Sequence, residues 1–194
     1  MYHVIGTAKS RAFRVMWMLG ELGQDYDVTP AMPRSEEIMA HNPLGKVPAL
    51  KDGDDVLTDS VAIITYLADK HGALTAPAGT IARARQDAMT LWLIDEMDAL
   101  LWTASKHSFV LPEKLRVPEV KPTLKKEFAR NVAQLERMMR GDFLMGDEIT
   151  VPDILACHCL GWSIVANFDP LPDTIKDYSK RLRGRAAYKD AASR

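Results

Sequence analysis

Cysteine is scarce in this 194-residue chain: the only two, Cys157 and Cys159, flank His158 late in the sequence. A first half without cysteine excludes C-x-x-C redox chemistry and any cysteine nucleophile placed early in the chain. The Cys157-His158-Cys159 triplet resembles a metal motif. On a helix, however, neighbouring side chains diverge by about 100° per residue, so the three cannot converge on one ion; buried inert thiols and no metal are expected. Long apolar runs are missing too. Stretches such as Val61 to Ile64 fall far short of the ~20 residues that cross a bilayer, and the first residues lack the charged-then-apolar layout of a signal peptide. The expectation is a cytoplasmic protein with no membrane partner. Charge of one sign is likewise absent. The 25 basic and 26 acidic residues leave a net charge of −1, with no basic footprint for nucleic acid and no acidic tail.

What the chain does have is an apolar content of 47%, ample for a packed core, and an alternation of element types in its first part. Tyr2 to Ile5 is strand-like, and Ser10 to Leu22 is helical, with Phe13, Met16 and Trp17 on one side. Tyr26 to Thr29 is a strand, Glu36 to Ala40 a brief helix, Val47 to Lys51 a strand, Asp52 to Asp55 a hairpin turn and Val56-Leu57 a strand. A helix from Asp59 to Lys70 completes the order β-α-β-α-β-β-α. That is the order of a thioredoxin-like α/β domain, placed at residues 1–72. Glycine and proline between residues 73 and 81 mark a linker, and residues 82–194 are expected to be all helical. There the spacing predicts helices over Arg83 to Leu101, Thr123 to Arg140 and Ile154 to Ala166, with prolines 112, 118 and 122 breaking the interval. Thr150-Val151-Pro152-Asp153 forms a capping box, with Ile149 as a possible hydrophobic staple.

Two short pieces carry chemistry. The first, Asn42 to Leu50 (NPLGKVPAL), turns into a strand at Val47-Pro48; proline cannot donate to a ladder, so the Val47 backbone is left at a strand edge suited to an extended peptide. In the second, Thr58-Asp59-Ser60 precedes an apolar helical run, so that free amides and the Ser60 hydroxyl gather at a helix start able to receive a carboxylate. Each piece alone is an ordinary turn or cap.

Their order and spacing, together with the segment FLMGDEITVPDILA, resemble the cytosolic glutathione S-transferase family over nearly the whole chain. The resemblance implies a cis Val47-Pro48 bond whose Val47 backbone pairs with the cysteine of glutathione. It also implies Asp59-Ser60 as receptor of the γ-glutamyl carboxylate and Lys46 as a cation for the glycyl carboxylate. It further implies glutathione as co-substrate, a homodimer with Asp95 or Asp98 reaching the γ-glutamyl ammonium of the partner's site, and a chain that stops early for the family, leaving an open pocket.

Such an enzyme must hold the glutathione sulfur as a thiolate, usually with one hydroxyl at a helix N-terminus. Ser10 is the natural N-cap of the first helix and the expected donor, of a serine/threonine type rather than a tyrosine or cysteine type. Thr7 and Lys9 are the alternatives, and Tyr2 lies too early in the strand. Phe13, Trp102, His107 and Phe109 are candidates for the wall against a small hydrophobic electrophile. The leading expectation is a detoxifying transferase that conjugates glutathione to electrophiles. A glutathione-dependent peroxidase or disulfide reductase, or a non-catalytic binding module on the same fold, are the alternatives.

Overall fold

The first strand, β1 (Tyr2–Ile5), lies in the middle of a four-stranded sheet ordered β2-β1-β3-β4, where β2 is Tyr26–Thr29, β3 Ala49–Asp52 and β4 Asp55–Thr58. The computed structural model describes residues 1–194. β1 runs parallel to β2, with Tyr2 opposite Tyr26, and antiparallel to β3, with Ile5 opposite Ala49. β3 and β4 form the hairpin expected at Asp52 to Asp55, and Gly53 supplies its left-handed turn position at φ 63°. Helices α1 (Ala12–Glu21) and α3 (Ser60–His71) accompany the sheet, with the single-turn α2 (Glu36–Met39) before the cis-proline loop. This is the predicted thioredoxin-like arrangement, and its boundaries move by one or two residues. β3 begins at Ala49 rather than Val47, because the cis Val47-Pro48 bond ends the ladder there.

The chain divides into two compact units, Met1–Thr80 together with Arg183–Arg194, and Ile81–Leu182. The last twelve residues therefore belong with the sheet, not with the helical region expected to run to residue 194. Sequence patterning left this segment unassigned. It contains α9 (Ala186–Ser193), which packs on α1: Tyr188 meets Phe13 and Trp17 edge-on at centroid distances of 4.9 and 5.0 Å.

In the second unit, α4 (Ile81–Leu93) continues without a break through a π turn (Ile94–Asp98), α5 (Ala99–Ser105) and a second π turn (Lys106–Val110). The predicted apolar stripe from Arg83 to Leu101 thus belongs to a longer, locally widened helix. A π turn displaces carbonyls from their usual partners. Here the Asn131 amide, from α6 (Lys121–Met138), donates to the Glu96 carbonyl at 2.7 Å and to the Glu96 carboxylate at 2.8 Å. Pro122 does not break the chain as expected; it sits in the first turn of α6, where its missing N–H costs nothing. Two 3₁₀ turns, Glu113–Leu115 and Pro118–Val120, fill the interval before it.

α7 (Val151–Val165) is buried almost all round, as a helix apolar on every face must be. Its capping box is formed as the sequence predicted. α8 (Asp173–Arg183) presents Tyr178 to it. No helix is long and apolar enough to cross a membrane.

At the hairpin end of β3, Asp52 accepts from Tyr66 Oη at 2.6 Å and pairs with Lys70, whose ammonium also lies over the Tyr2 and Tyr66 rings. The Lys70 and Tyr66 hydrogen bonds hold the Asp52 carboxyl below its ordinary range. A depressed carboxyl stabilises the fold above the unfolded-chain value of about 3.9 and ceases to do so as pH falls through its folded value. Asp52→Asn is therefore expected to cost a small amount of stability at neutral pH and none in strong acid. Urea melts of both proteins at neutral pH and below pH 3 would check this; a difference that persists in acid would refute it.

Candidate functional site

Gly6 follows β1 at φ 148°, and the space where a Cβ would stand is ringed by three groups: Ala12 Cβ at 2.6 Å, Val47 Cβ at 3.6 Å and Ser10 Oγ at 3.7 Å. The end of β1, the start of α1 and the cis-proline loop therefore converge on one point, with the Ser10 hydroxyl and Val47 on either side of it. A Cβ at residue 6 would clash with Ala12 at the start of α1, while Val47 and Ser10 stand at ordinary contact distance from it. The sequence stretch Gly6 to Ser10 gave no hint that Gly6 was the hub, because Val47, one of the groups it meets, lies about forty residues away.

Ser10 is not the formal N-cap that the sequence suggested. The helix begins at Ala12, and Arg11 already has helical angles. The reason is a tight entry: Ser10 N and Ser10 Oγ both donate to the Thr7 carbonyl, at 3.0 and 2.8 Å, and the next amides bond three residues back, Phe13 to Ser10 and Arg14 to Arg11. Ser10 still serves the helix start, because its Oγ accepts the Ala12 N–H at 3.2 Å. Its hydroxyl thus accepts a hydrogen bond at the positive end of α1 while its own proton is held by the Thr7 carbonyl. Thr7 and Ser10 are half-buried and Lys9 is exposed.

The cis-proline loop is held from behind. Asn42, buried, donates its side-chain amide to the Lys46 carbonyl at 2.8 Å and accepts the Leu44 N–H at 3.1 Å. Gly45, at φ 63°, accepts from Arg34 N at 2.9 Å. Val47 packs its side chain against the cluster of Ile5, Ala31, Ile38 and Ala49, and its backbone lies just beyond the β1–β3 ladder, which starts at Ala49. Lys46 is exposed, its ammonium in solvent.

Asp59 caps α3 from an unusual backbone position, φ 69° and ψ 120°, where a non-glycine residue is strained. Its carboxylate compensates by accepting from Val61 N at 2.9 Å and Ala62 N at 3.1 Å. Ser60, only 3% exposed, accepts from Arg14 Nη1 at 3.2 Å. Arg14 is 1% exposed, a guanidinium carried into the core on α1, and patterning missed it. The available signal was a lone charge inside the apolar run Phe13 to Leu19. With Arg14 donating to its oxygen, the Ser60 hydroxyl has its own proton to offer an incoming acceptor.

The expected wall residues fall in both units. Phe13 is buried between Trp17 and Tyr188 in the first unit, a core position. In the second unit Trp102 is exposed and Phe109 is 69% exposed. His107 accepts the Val117 N–H on Nδ1 at 3.0 Å, which ties the 3₁₀ region to the helix end. Asp95 is exposed and Asp98 buried. Cys157 and Cys159 are buried thiols outside any disulfide, and no group of three or more histidine, cysteine or acidic residues is placed to hold a metal.

A sequence profile described as the glutathione S-transferase N-terminal domain matches residues 7–76. Over 176 residues the chain is 30% identical to glutathione S-transferase 3 of Zea mays, covering 84% of this chain and 77% of that protein. Human glutathione S-transferase theta-1 is 33% identical over 137 residues, 67% of this chain and 57% of the longer human protein. Among solved structures, a glutathione transferase from Methylococcus capsulatus superposes with a TM-score of 0.86 at 25% identity, over 100% of this chain and 98% of that one.

Proposed function

Because the chain belongs to the glutathione S-transferase family, and is a transferase that uses glutathione, we propose that it activates the glutathione thiol at Ser10 and conjugates it to small hydrophobic electrophiles. The supporting observation is the convergence around Gly6 of the Ser10 hydroxyl, Val47 and the start of α1. Glutathione is read as an added strand whose cysteine pairs with the Val47 backbone, next to the cis-proline turn. Its γ-glutamyl carboxylate meets the start of α3, where the Ser60 hydroxyl donates to it, and the Lys46 ammonium faces its glycyl carboxylate.

That placement puts the sulfur beside Ser10. The hydroxyl, already polarised by the Ala12 N–H, turns its proton from the Thr7 carbonyl to the sulfur. A hydrogen bond to the charged form, next to the positive end of α1, favours thiolate over thiol. The thiol proton leaves to solvent, the thiolate attacks the electrophilic carbon, and the leaving group departs with the bonding electron pair. Trp102, His107 and Phe109 are read as substrate contacts of the second unit, and the working enzyme as a cytoplasmic homodimer acting in detoxification.

Titrating glutathione into the protein by calorimetry, with thiolate absorbance followed across pH, tests this. Saturable binding with a thiol pKa below that of free glutathione is the expected result. Binding without a lowered pKa would refute activation at Ser10.

A further inference from the structure

Glu21 closes the last turn of α1, where a carboxylate runs against the helix dipole and gains nothing from the helix itself. It is nevertheless buried, its side chain 7% exposed, because three donors meet it. Arg185 grips both oxygens, Nε to Oε1 at 2.6 Å and Nη2 to Oε2 at 2.7 Å, and Trp17 Nε1 reaches Oε1 at 2.8 Å. Two residues on from Arg185, in the first turn of α9, Ala187 Cβ stands 3.1 Å from where a Cβ on Gly20 would be, so the two helices approach closely there and an added Cβ would force its neighbour to give by a few tenths of an ångström. Tyr188 then lies edge-on to Phe13 and Trp17, with the Arg183 guanidinium 5.9 Å from its ring centre. The Arg185, Ala187 and Tyr188 contacts all bear on a single helix, α1, whose other end carries Ser10 and the Arg14 that donates to Ser60.

We propose that the Arg185–Glu21 pair is a positioning device for the thiol-activating end of α1. A helix is a stiff rod: a slip of one residue against its neighbours displaces the far end by about 1.5 Å and turns it by about 100°. The bidentate fork fixes both the axial position and the rotation of α1, since a planar guanidinium on two carboxylate oxygens tolerates neither. Arg185 is a positioning residue, far from any reacting atom. The inference rests on the reading of Ser10 as the thiolate donor.

The test compares Arg185→Ala, Arg185→Lys and wild type by the pH profile of bound-glutathione thiolate absorbance, with Asp52→Asn as a control variant altered at the β3–β4 hairpin. Arg185→Ala is expected to raise the bound thiol pKa and lower kcat about tenfold, a loss typical of small misplacements at a reacting centre. Arg185→Lys, which keeps the charge but not the fork, should fall between, and the control should leave the titration unmoved. An unchanged thiol pKa in Arg185→Ala, whatever its melting temperature, would overturn the proposal. If wild type itself shows no lowered thiol pKa, the Ser10 reading fails, and amide hydrogen exchange decides the positioning claim alone. Faster exchange at Ala12 to Val15 in Arg185→Ala supports it; acceleration confined to Leu19 to Gln24 overturns it.

Discussion

Ser10→Ala is expected to raise the pKa of bound glutathione toward that of the free thiol and to lower kcat/KM about hundredfold, the order seen when one preorganised donor to an anion is removed. Glutathione affinity should change little, because Val47, Ser60 and Lys46 are untouched. The physical case is that Oγ accepts the Ala12 N–H at 3.2 Å, and its proton, which rests on the Thr7 carbonyl at 2.8 Å, can turn to the sulfur at the mouth of α1. Alanine removes both, exposing the Ala12 amide as a second, weaker donor, which is why the loss is finite. The thiolate absorbance titration checks it directly. An unchanged thiol pKa would exclude Ser10 and transfer the role to the Thr7 hydroxyl or the Lys9 ammonium, each of which can be replaced in turn.

The second large effect concerns stability. Asp153 has no exposed surface, and its carboxylate takes four hydrogen bonds: from Leu144 N at 2.9 Å, Thr150 N at 2.8 Å, Thr150 Oγ1 at 2.9 Å and Tyr178 Oη at 2.8 Å. Burial pushes its pKa up, while these donors pull it down. Burial together with the neighbouring Asp153 carboxyl pushes the Tyr178 phenol well above its usual range, so it stays a donor. Asp153→Ala leaves four donors without an acceptor, the Leu144 N–H and Tyr178 hydroxyl buried and the two of Thr150 partly so, at about 1–3 kcal/mol for each buried one before relaxation. Allowing for water entry and repacking, a net loss of about 4 kcal/mol is expected, against a total of roughly 5–15 kcal/mol for a domain. Thr150→Ala, which removes one cap oxygen, should cost about 1 kcal/mol. Denaturant melts of the three proteins would show the graded series; an Asp153→Ala midpoint equal to wild type would contradict it.

The legible features share a property. Each element of the β-α-β-α-β-β-α order, the Asp52 to Asp55 hairpin, the cap at Thr58 or Asp59 and the Thr150 to Asp153 box are written locally, in periodicity, turn chemistry and capping patterns. The glutathione-type segments at Asn42 to Leu50 and Thr58 to Ser60 were equally local. The features that escaped depend on distant partners. Ser10 looked like an N-cap because serine before an apolar run usually is one; the turn onto Thr7 moved the helix start to Ala12. Pro122 looked like a breaker, yet a proline in a first turn and one that ends a helix read alike until the start of α6 is known. α9 offered only alanines around Tyr188, too thin a stripe to declare a buried face, and its partner is 164 residues away at Glu21.

By itself, then, the sequence determined the strands and helices of residues 1–72, the turns that join them, three of the later helices and which short pieces can receive a peptide and a carboxylate. Only the tertiary structure decided that Ser10 and Val47 flank Gly6, that Arg14 is buried onto Ser60, and that the chain's last helix grips α1. The physical reason is that secondary structure follows from steric and hydrogen-bond preferences of neighbours in the chain, whereas the position of a buried charge or a close backbone approach is fixed by whichever remote group satisfies or fills it.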